Sequence, residues 1–248
     1  MSIIDRFFRK KAQAGCMSFE ALHTDMHSHL IPGIDDGVKD LDTAVSLIRR
    51  MGALGFKKLI ITPHVMSDIY KNDRKTIHDG LEKLKQAVSQ AGIDITLEAA
   101  AEYQADDGLL GLLENGELLS FGDQYLMVEL PYFSAPANLN TIFFELQLAG
   151  YKVILAHPER YNYWHHQFST FEELKEKNIF FQLNTISLSG YYSYPTKKMA
   201  NKLIDAKMID FLGSDLHNHQ SLKLLEDAMQ EASLNKLMTS GLLKNHLI

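Results

Sequence analysis

From residue 22 onward, short apolar runs alternate with longer segments of helical periodicity, and this alternation constrains the fold more than any other feature of the chain. The runs Leu22–Met26, Lys58–Thr62, Ile95–Ala101, Tyr125–Leu130, Lys152–Ala156, Ile179–Leu183 and Ile209–Gly213 have the length and the branched or aromatic content expected of buried strands. Around them, Leu41–Leu54, Asp73–Ala91, Asp106–Glu114, Ala137–Ala149, Thr170–Lys177, Pro195–Ala206 and Ser221–Gln230 repeat apolar residues at helical spacing. A strand that leads through a helix to a neighbouring strand has to cross over, which makes the strands parallel and the connections right-handed. The expected fold class is therefore α/β, with the sheet either open or closed into a barrel. Either way, chemistry is expected at the carboxyl ends of the strands. No Gly-Ser or Pro-rich linker and no internal repeat divides the 248 residues, so one domain is expected over residues 21–248, preceded by an N-terminal segment, residues 1–20.

Composition narrows the class of partner. A formal net charge of −6 gives no electrostatic reason to expect a nucleic-acid backbone, whose affinity rests on clustered Lys and Arg. With Cys16 as the one cysteine, no disulfide can form within the chain, and a reducing cytoplasm is the simplest setting. No apolar run approaches the roughly 18 residues of a membrane span, and the first residues lack a signal peptide's apolar stretch. Within Met1–Lys11, the residues Ile3, Ile4, Phe7 and Phe8 fall at helical spacing against Arg6, Arg9, Lys10 and Lys11. Such an amphipathic segment is suited either to weak contact with an anionic membrane or to packing as a frayed terminal helix.

The ionisable residues fall where the fold predicts chemistry. The first strand leads into Asp25-Met26-His27-Ser28-His29, and alternation puts Asp25, His27 and His29 on one side. The second strand ends in Thr62-Pro63-His64, the fifth in Ala156-His157-Pro158-Glu159-Arg160 and the seventh in Ser214-Asp215-Leu216-His217, while the third and fourth end in Glu102 and Glu129. Taken singly, each is matched by a satisfied core histidine or a loop carboxylate. Together, His27, His29, His64, His157 and His217, five of eleven histidines, stand with three carboxylates just beyond strands, which scatter does not explain. Asp36, in Gly33-Ile34-Asp35-Asp36-Gly37, adds a fourth carboxylate, although Asp-Gly is also ordinary turn chemistry. Imidazole and carboxylate donors without thiolate suit zinc, manganese or iron. Three divalent ions would bring six positive charges, and Asp36, Glu102, Glu129 and Asp215 would cancel four. The residue attracts a dianion such as phosphate, and metal-assisted phosphoester hydrolysis follows as the expected reaction class.

Asp25-x-His27-x-His29, the Gly-Ile-Asp-Asp-Gly loop, Thr-Pro-His64, Ala-Glu102-Tyr, Val-Glu129-Leu-Pro, Ala-His157-Pro-Glu-Arg160 and Ser-Asp215-Leu-His217-Asn resemble the polymerase and histidinol phosphatase (PHP) superfamily. Within it they are most similar to the bacterial tyrosine-protein phosphatases of capsule and exopolysaccharide synthesis, the CpsB/CapC/YwqE type, in the same order from Leu22 to Asn218. The resemblance implies a distorted (β/α)7 barrel holding three divalent ions, manganese first among the candidates and iron, zinc or magnesium the others. By that pattern His27, His29, Glu102 and Asp215 would hold one ion, Glu102, Glu129 and His157 a second, and Asp36, His64 and His217 a third, with Glu102 bridging. The reaction would be carried by Arg160, Glu102 and His217, with Arg160 contacting the phosphate.

The implied partner is a phosphotyrosine protein, the tyrosine-rich tail of a polysaccharide-assembly kinase. A small-molecule phosphatase of the histidinol-phosphate type and a PHP-type nuclease are the competing readings. Relatives often carry a further arginine after the last motif. Here Asn218-His219-Gln220-Ser221 follows, leaving His219 or Lys223 to replace it. Tyr132, Phe133, Tyr161, Tyr163, Trp164, Tyr191, Tyr192 and Tyr194 cluster in loops after strands, either to sandwich a phosphotyrosine ring or to pack the barrel mouth. No arginine-bearing phosphate loop follows Cys16, which excludes the cysteine-dependent phosphatase mechanism.

Overall fold

The computed structural model describes residues 18–248, so the amphipathic stretch Met1–Lys11 and Cys16 lie outside the described residues. Strands β1 (Thr24–Asp25), β2 (Lys58–Ile61) and β4 (Thr96–Ala99) pair in that order. A second parallel sheet runs β3 (His64–Val65), β5 (Glu102–Gln104), β6 (Tyr125–Glu129), β7 (Lys152–Ala156), β8 (Phe180–Asn184) and β9 (Phe211–Gly213). The two sheets are one wall. β2 and β3 are halves of a single stave broken at Thr62-Pro63, where proline has no N–H to give the ladder, and β4 and β5 are halves of the next.

Backbone bonds carry the wall across the break. Thr62 N donates to Ser28 O at 2.8 Å, Ala100 N to Ile61 O at 2.9 Å and Glu102 N to Pro63 O at 3.0 Å. The last stave returns to the first through Asp215 N on His27 O and Leu216 O accepting from His29 N, both at 2.9 Å. Seven parallel staves thus curl into the distorted (β/α)7 barrel. The expected strand Ile95–Ala101 shortens to β4, its stave resuming at Glu102 as β5, and the first stave shortens to Thr24–Asp25 after a left-handed turn at His23, φ 65°.

The helices follow the staves in order: α1 (Leu41–Ala53), α2 (Arg74–Gln90), α3 (Leu109–Glu114), α4 (Leu139–Leu148), α5 (Phe168–Glu176), α6 (Tyr194–Asp205), α7 (His219–Ala228) and α8 (Ala232–Met238). Side-chain caps set several starts. Asp40 accepts from Thr43 N, Asp73 from Thr76 N and Ser193 from Thr196 N. Asn218 accepts from Gln220 N and Ser221 N, which starts α7 at His219 instead of the expected Ser221. Asp106 is occupied by Ser67 N and Gly108 N, so α3 begins only at Leu109. The short α8 was not expected. Among the described residues, no helix is long and apolar enough to cross a membrane.

Alternation along the staves separates two apolar layers. Leu126, Val128, Val153, Leu155 and Leu212 belong to the large layer shared with the helices, whereas Met26, Ile60, Ala100, Tyr125, Met127, Ile154, Ala156 and Phe211 fill the barrel. Each such fully buried aliphatic side chain contributes about 1.5–3 kcal/mol. The residues one pleat beyond Ala100 and Met127 are Glu102 and Glu129, so the interior row that builds the core delivers carboxylates to the mouth.

At the opposite end the seam between β1 and β9 is held by Asn245, which is fully buried. Its Nδ2 donates to Leu212 O at 2.7 Å and Thr24 O at 3.0 Å, and its Oδ1 accepts from Leu212 N at 3.0 Å. Asn245→Ala strips partners from three buried backbone groups and is expected to destabilise the fold by about 2–4 kcal/mol. Urea unfolding should show this as a lower midpoint at unchanged slope. A midpoint equal to that of the parent contradicts the seam.

Candidate active site

Backbone conformation aims the side chains at the mouth. His157 and Asp215, just past β7 and β9, have left-handed φ of 34° and 51°, a conformation that costs non-glycine residues about 1–2 kcal/mol. In the loop after β1, a Cβ on Gly37 would lie 2.1 Å from His29 O. Only glycine lets this loop press against His29 and bring Asp35 and Asp36 to the barrel.

All nine expected donors meet there. Glu102 Oε2 is 3.1 Å from His64 Nδ1, 3.2 Å from His27 Nε2 and 3.5 Å from His29 Nε2, while its Oε1 is 2.9 Å from His157 Nε2. Asp215 Oδ1 lies 3.4 Å from His27 Nε2 and 3.3 Å from His29 Nε2. Glu129 Oε1 is 3.1 Å from His64 Nδ1, and Asp36 Oδ1 is 3.5 Å from His64 Nε2 and 3.4 Å from His217 Nε2.

Donors about 2.0–2.1 Å from a tetrahedral ion lie about 3.4 Å from one another, and these separations fit that spacing. Glu102 Oε2, both oxygens of Glu129, and Nδ1 of His64 and His157 are buried without a hydrogen bond among the described residues. Buried charged oxygens are unfavourable in that state unless a cation answers them. Four groupings could hold one: His27 with His29 and Asp215, His27 with Glu102 and His157, His64 with Glu102 and Glu129, and His29 with Asp36, His64 and His217. Asp25 stays apart from them, accepting from Ser214 N and Oγ at 2.8 and 2.7 Å.

Residues not counted among the nine donors, Asp35 and Gln182, and the backbone of Asp215 orient three of the histidines. Asp35 Oδ2 is 2.8 Å from His29 Nδ1, Gln182 Oε1 is 2.9 Å from His27 Nδ1, and Asp215 O is 2.9 Å from His217 Nδ1. With acceptors holding Nδ1–H, the Nε2 lone pairs face the centre. Gln182 Nε2 donates to Asn184 Oδ1 at 3.0 Å, and Asn184 Nδ2 to Asp215 Oδ2 at 2.6 Å. Both amides lie on the interior row of β8 above Phe180, a polar continuation of an inward row that was their one sequence signal. Glu159 is buried beneath, accepting from Asn184 N and Ser187 Oγ at 3.0 and 2.7 Å, and burial pushes its carboxyl up to about 7.

Without a cation, the mouth neutralises itself with protons. Burial opposes a charged His27, but the Glu102 and Asp215 carboxylates outweigh it and raise the imidazole to about 9. The same contest, through Glu102 and Glu129, lifts His64 to about 12, and through Asp215 and Asp36 it lifts His217 to about 9. Burial prevails at His157, pushed down to about 4, and at Glu129, pushed up to about 7 with help from the neighbouring Glu102 charge. A hydrogen bond from His217 holds Asp36 at about 2.

Above the donors opens a cavity of 520 Å³ lined by apolar Met66, Ile69, Ile186 and Leu224 and by Tyr70, Tyr132, Tyr191 and Tyr192. Arg160 is the one Lys or Arg among its described lining residues. From α7 it takes Gln220, Ser221 and Leu224, and neither His219 nor Lys223. Of the expected loop aromatics, Tyr132, Tyr191 and Tyr192 line the cavity, whereas Phe133 and Tyr194 are exposed outside it. Tyr161 and Trp164 are buried packing, with the Tyr161 hydroxyl donating to Ala156 O and accepting from Leu130 N, both at 2.9 Å. Tyr132 stacks on His157, and Tyr70, missed in the sequence, stacks on His64 at 12°.

Known proteins share this design. The profile of the family described as capsular polysaccharide synthesis, CpsB/CapC, matches residues 23–237. Tyrosine-protein phosphatase YwqE of Bacillus subtilis (strain 168) is 29% identical over 195 residues, covering 78% of this chain and 77% of its own. Tyrosine-protein phosphatase CpsB of Streptococcus pneumoniae is 22% identical over 203 residues, 79% of this chain and 84% of its own. A chain from the crystal structures of YwqE and CpsB, described as unique metal-dependent tyrosine phosphatases, superposes with a TM-score of 0.76 at 26% identity, covering 86% of this chain and 84% of that one. A phosphotriesterase homology protein from Escherichia coli shares the fold alone, with a TM-score of 0.52 at 13% identity over 92% of this chain and 93% of that one.

Fold and mouth together define a distorted parallel (β/α)7 barrel with a histidine and carboxylate cluster at the carboxyl ends of its staves. The chain belongs to the CpsB/CapC family of capsular polysaccharide synthesis.

The proton balance of the mouth generates a pH prediction. Ligation needs neutral imidazole, and His27, His64 and His217 keep their protons up to about 9, 12 and 9 when no cation is bound. Protons therefore compete with cations below those values. Binding of Mn(II) to the stripped protein at pH 7 is expected to release protons, and affinity is expected to rise as pH is raised toward 9. Calorimetric titration in buffers of different ionisation enthalpy measures both. Proton uptake, or affinity independent of pH, contradicts the charge balance described.

Proposed function

We propose that this protein is a metal-dependent protein-tyrosine phosphatase of capsule or exopolysaccharide synthesis, acting in the cytoplasm on the phosphorylated tyrosine-rich tail of a bacterial kinase. The observation that carries the reading is the convergence of nine imidazole and carboxylate donors on the floor of a cavity whose lining holds one guanidinium, that of Arg160. Family membership and the metal-dependent tyrosine phosphatases among the relatives support it.

His27, His29, Glu102 and Asp215 would hold one ion, Glu102, Glu129 and His157 a second, and Asp36, His64 and His217 a third, with manganese the first candidate. Divalent ions in such a centre activate water and withdraw charge from phosphoryl oxygens. The chain's own residues do the rest. Arg160 Nη1 rests on Asp215 Oδ2 at 3.1 Å, and the remainder of its planar fork takes phosphate oxygens. Asp215 Oδ2 also accepts from Asn184 and Tyr192, which turns Oδ1 toward His27 and His29.

The tyrosine and aliphatic walls accept an aryl group and exclude water around the reacting phosphoryl. A phenolate leaves with a conjugate-acid pKa near 10, so no strong general acid is required of the pocket. One Lys or Arg side chain among the described lining residues and a net charge of −6 do not favour a polynucleotide.

Three variants test the assignment. His27→Ala and Glu102→Ala are expected to lose bound metal and to lower turnover by about a thousandfold or more. Arg160→Ala is expected to keep its metal and raise KM for a phosphotyrosine peptide about tenfold. Elemental analysis and steady-state kinetics, with histidinol phosphate as the comparison substrate, read all of these. Full turnover in metal-stripped His27→Ala defeats the mechanism, and a clear preference for histidinol phosphate defeats the substrate.

A further inference from the structure

The single guanidinium in the cavity is held in an unusual way. Its Cζ lies 4.2 Å from the centroid of the Tyr192 ring and 4.7 Å from that of Tyr132. Both are within the roughly 6 Å over which an aromatic face attracts a cation. The two residues come from different loops, Tyr132 after β6 and Tyr192 before α6, so the arrangement is tertiary. Burial pushes both phenols above their ordinary range, and the rings face Arg160 as neutral quadrupoles.

Each ring is itself anchored to a donor of the mouth. The Tyr192 hydroxyl donates to Asp215 Oδ2 at 3.2 Å, the same oxygen that accepts from Arg160 Nη1 at 3.1 Å. Tyr132 stacks on His157 at 6.0 Å and 21°. A long, rotamer-rich side chain is thereby fixed at its tip by two faces and one edge.

We propose that Tyr132 and Tyr192 are positioning residues that clamp the Arg160 guanidinium in the orientation that receives the phosphate, and so set the affinity of the pocket for its phosphoryl group. The inference rests on the reading of Arg160 as the phosphate-contacting residue. An arginine without this clamp keeps its charge but has to freeze several torsions as the anion arrives. With the clamp, that ordering precedes binding. The alternative use of the same rings, as stacking partners for the aryl group of the substrate, differs in one respect that can be measured. Inorganic phosphate has no ring, so a clamp alters its binding and a stacking wall does not.

The test uses the metal-loaded full-length enzyme with Tyr132→Leu, Tyr192→Leu and the two Phe variants, each in the parent and in the Arg160→Ala background. Each Leu substitution is expected to raise KM for a phosphotyrosine peptide, and the inhibition constant of inorganic phosphate, about fivefold, with kcat within about twofold and metal content unchanged. Tyr132→Phe should restore parent values, since it keeps the ring, and Tyr192→Phe, which keeps the ring but gives up the hydroxyl bond to Asp215 Oδ2, should restore phosphate inhibition further than Tyr192→Leu does. In the Arg160→Ala background the Leu substitutions should add nothing. Unchanged KM and phosphate inhibition in the Leu variants, beside a raised KM in Arg160→Ala, overturn the clamp alone. A Leu effect of equal size without Arg160, or one confined to the peptide, assigns the rings to the substrate and also overturns it. Unchanged KM in Arg160→Ala itself overturns the phosphate role on which the inference stands.

Discussion

Four carboxylates and five imidazoles are packed at van der Waals separation on one rim, with Glu102 and Glu129 wholly removed from solvent, and the rest of the structure is arranged around that concentration of charge. Two buried carboxylates side by side repel. Here the repulsion is answered by imidazolium protons when cations are absent, which is why His27 and His64 are raised against the effect of burial. Cations do the same work with larger charge. The mouth is therefore a set of ligands whose electrostatics are unsatisfied in detail, as the bare oxygens of Glu129 make plain, and satisfied in sum. A structural core would replace such groups by aliphatic side chains at little loss of stability.

The same residues also close the barrel. His27 O and His29 N are the partners of Asp215 N and Leu216 O, so the seam joining first and last staves runs directly beneath the donors. Left-handed backbone at Asp215 is held in place by this closure, through its N–H on His27 O. Donors from the first, second, third, fourth, fifth and seventh staves span the whole circumference. A cation gripped by His27 and Asp215 ties the two edges of the sheet through side chains as well as through the main chain. Cation binding at the mouth would thereby stabilise the closed seam by mass action.

How much of this was legible in the linear sequence follows from the geometry of strands. A parallel barrel puts its chemistry at stave ends, and alternation by two carries an inward row from Ala100 to Glu102 and from Met127 to Glu129, so the donors could be found by position alone. The supporting residues could not. Asp35 matters because its carboxylate reaches His29 Nδ1 and His64 N, and Asn184 because it reaches Asp215 across a neighbouring stave. Those contacts depend on stagger between staves, which spacing along the chain does not encode. The helix after Asn218 illustrates a finer limit. Its cap sets the start at His219, and from there Gln220, Ser221 and Leu224 share the face toward the cavity while His219 and Lys223 share another. The two side chains that looked able to replace an arginine were on the wrong face by a rotation that only the capping geometry determines.

A chain with an excess of acidic residues and one arginine in its pocket must still bind a dianion, and the location of positive charge explains how. Bulk charge acts through water and salt and is screened within about 8–10 Å, whereas Arg160 sits in a walled cavity with its side chain 21% exposed and cations would lie below it. Field there is local and strong. Such a site discriminates by charge at one point and by shape around it: a phosphoryl group is drawn to the floor, and whatever it is attached to must pass between Tyr70, Tyr132, Tyr191 and Tyr192. A flat aromatic linkage would pass between those rings more easily than a bulky one. A branched or strongly hydrated one would have to shed water against the rings and the aliphatic side chains of Met66, Ile69, Ile186 and Leu224, and selectivity for an aryl phosphate would then arise from the walls while affinity arises from the floor.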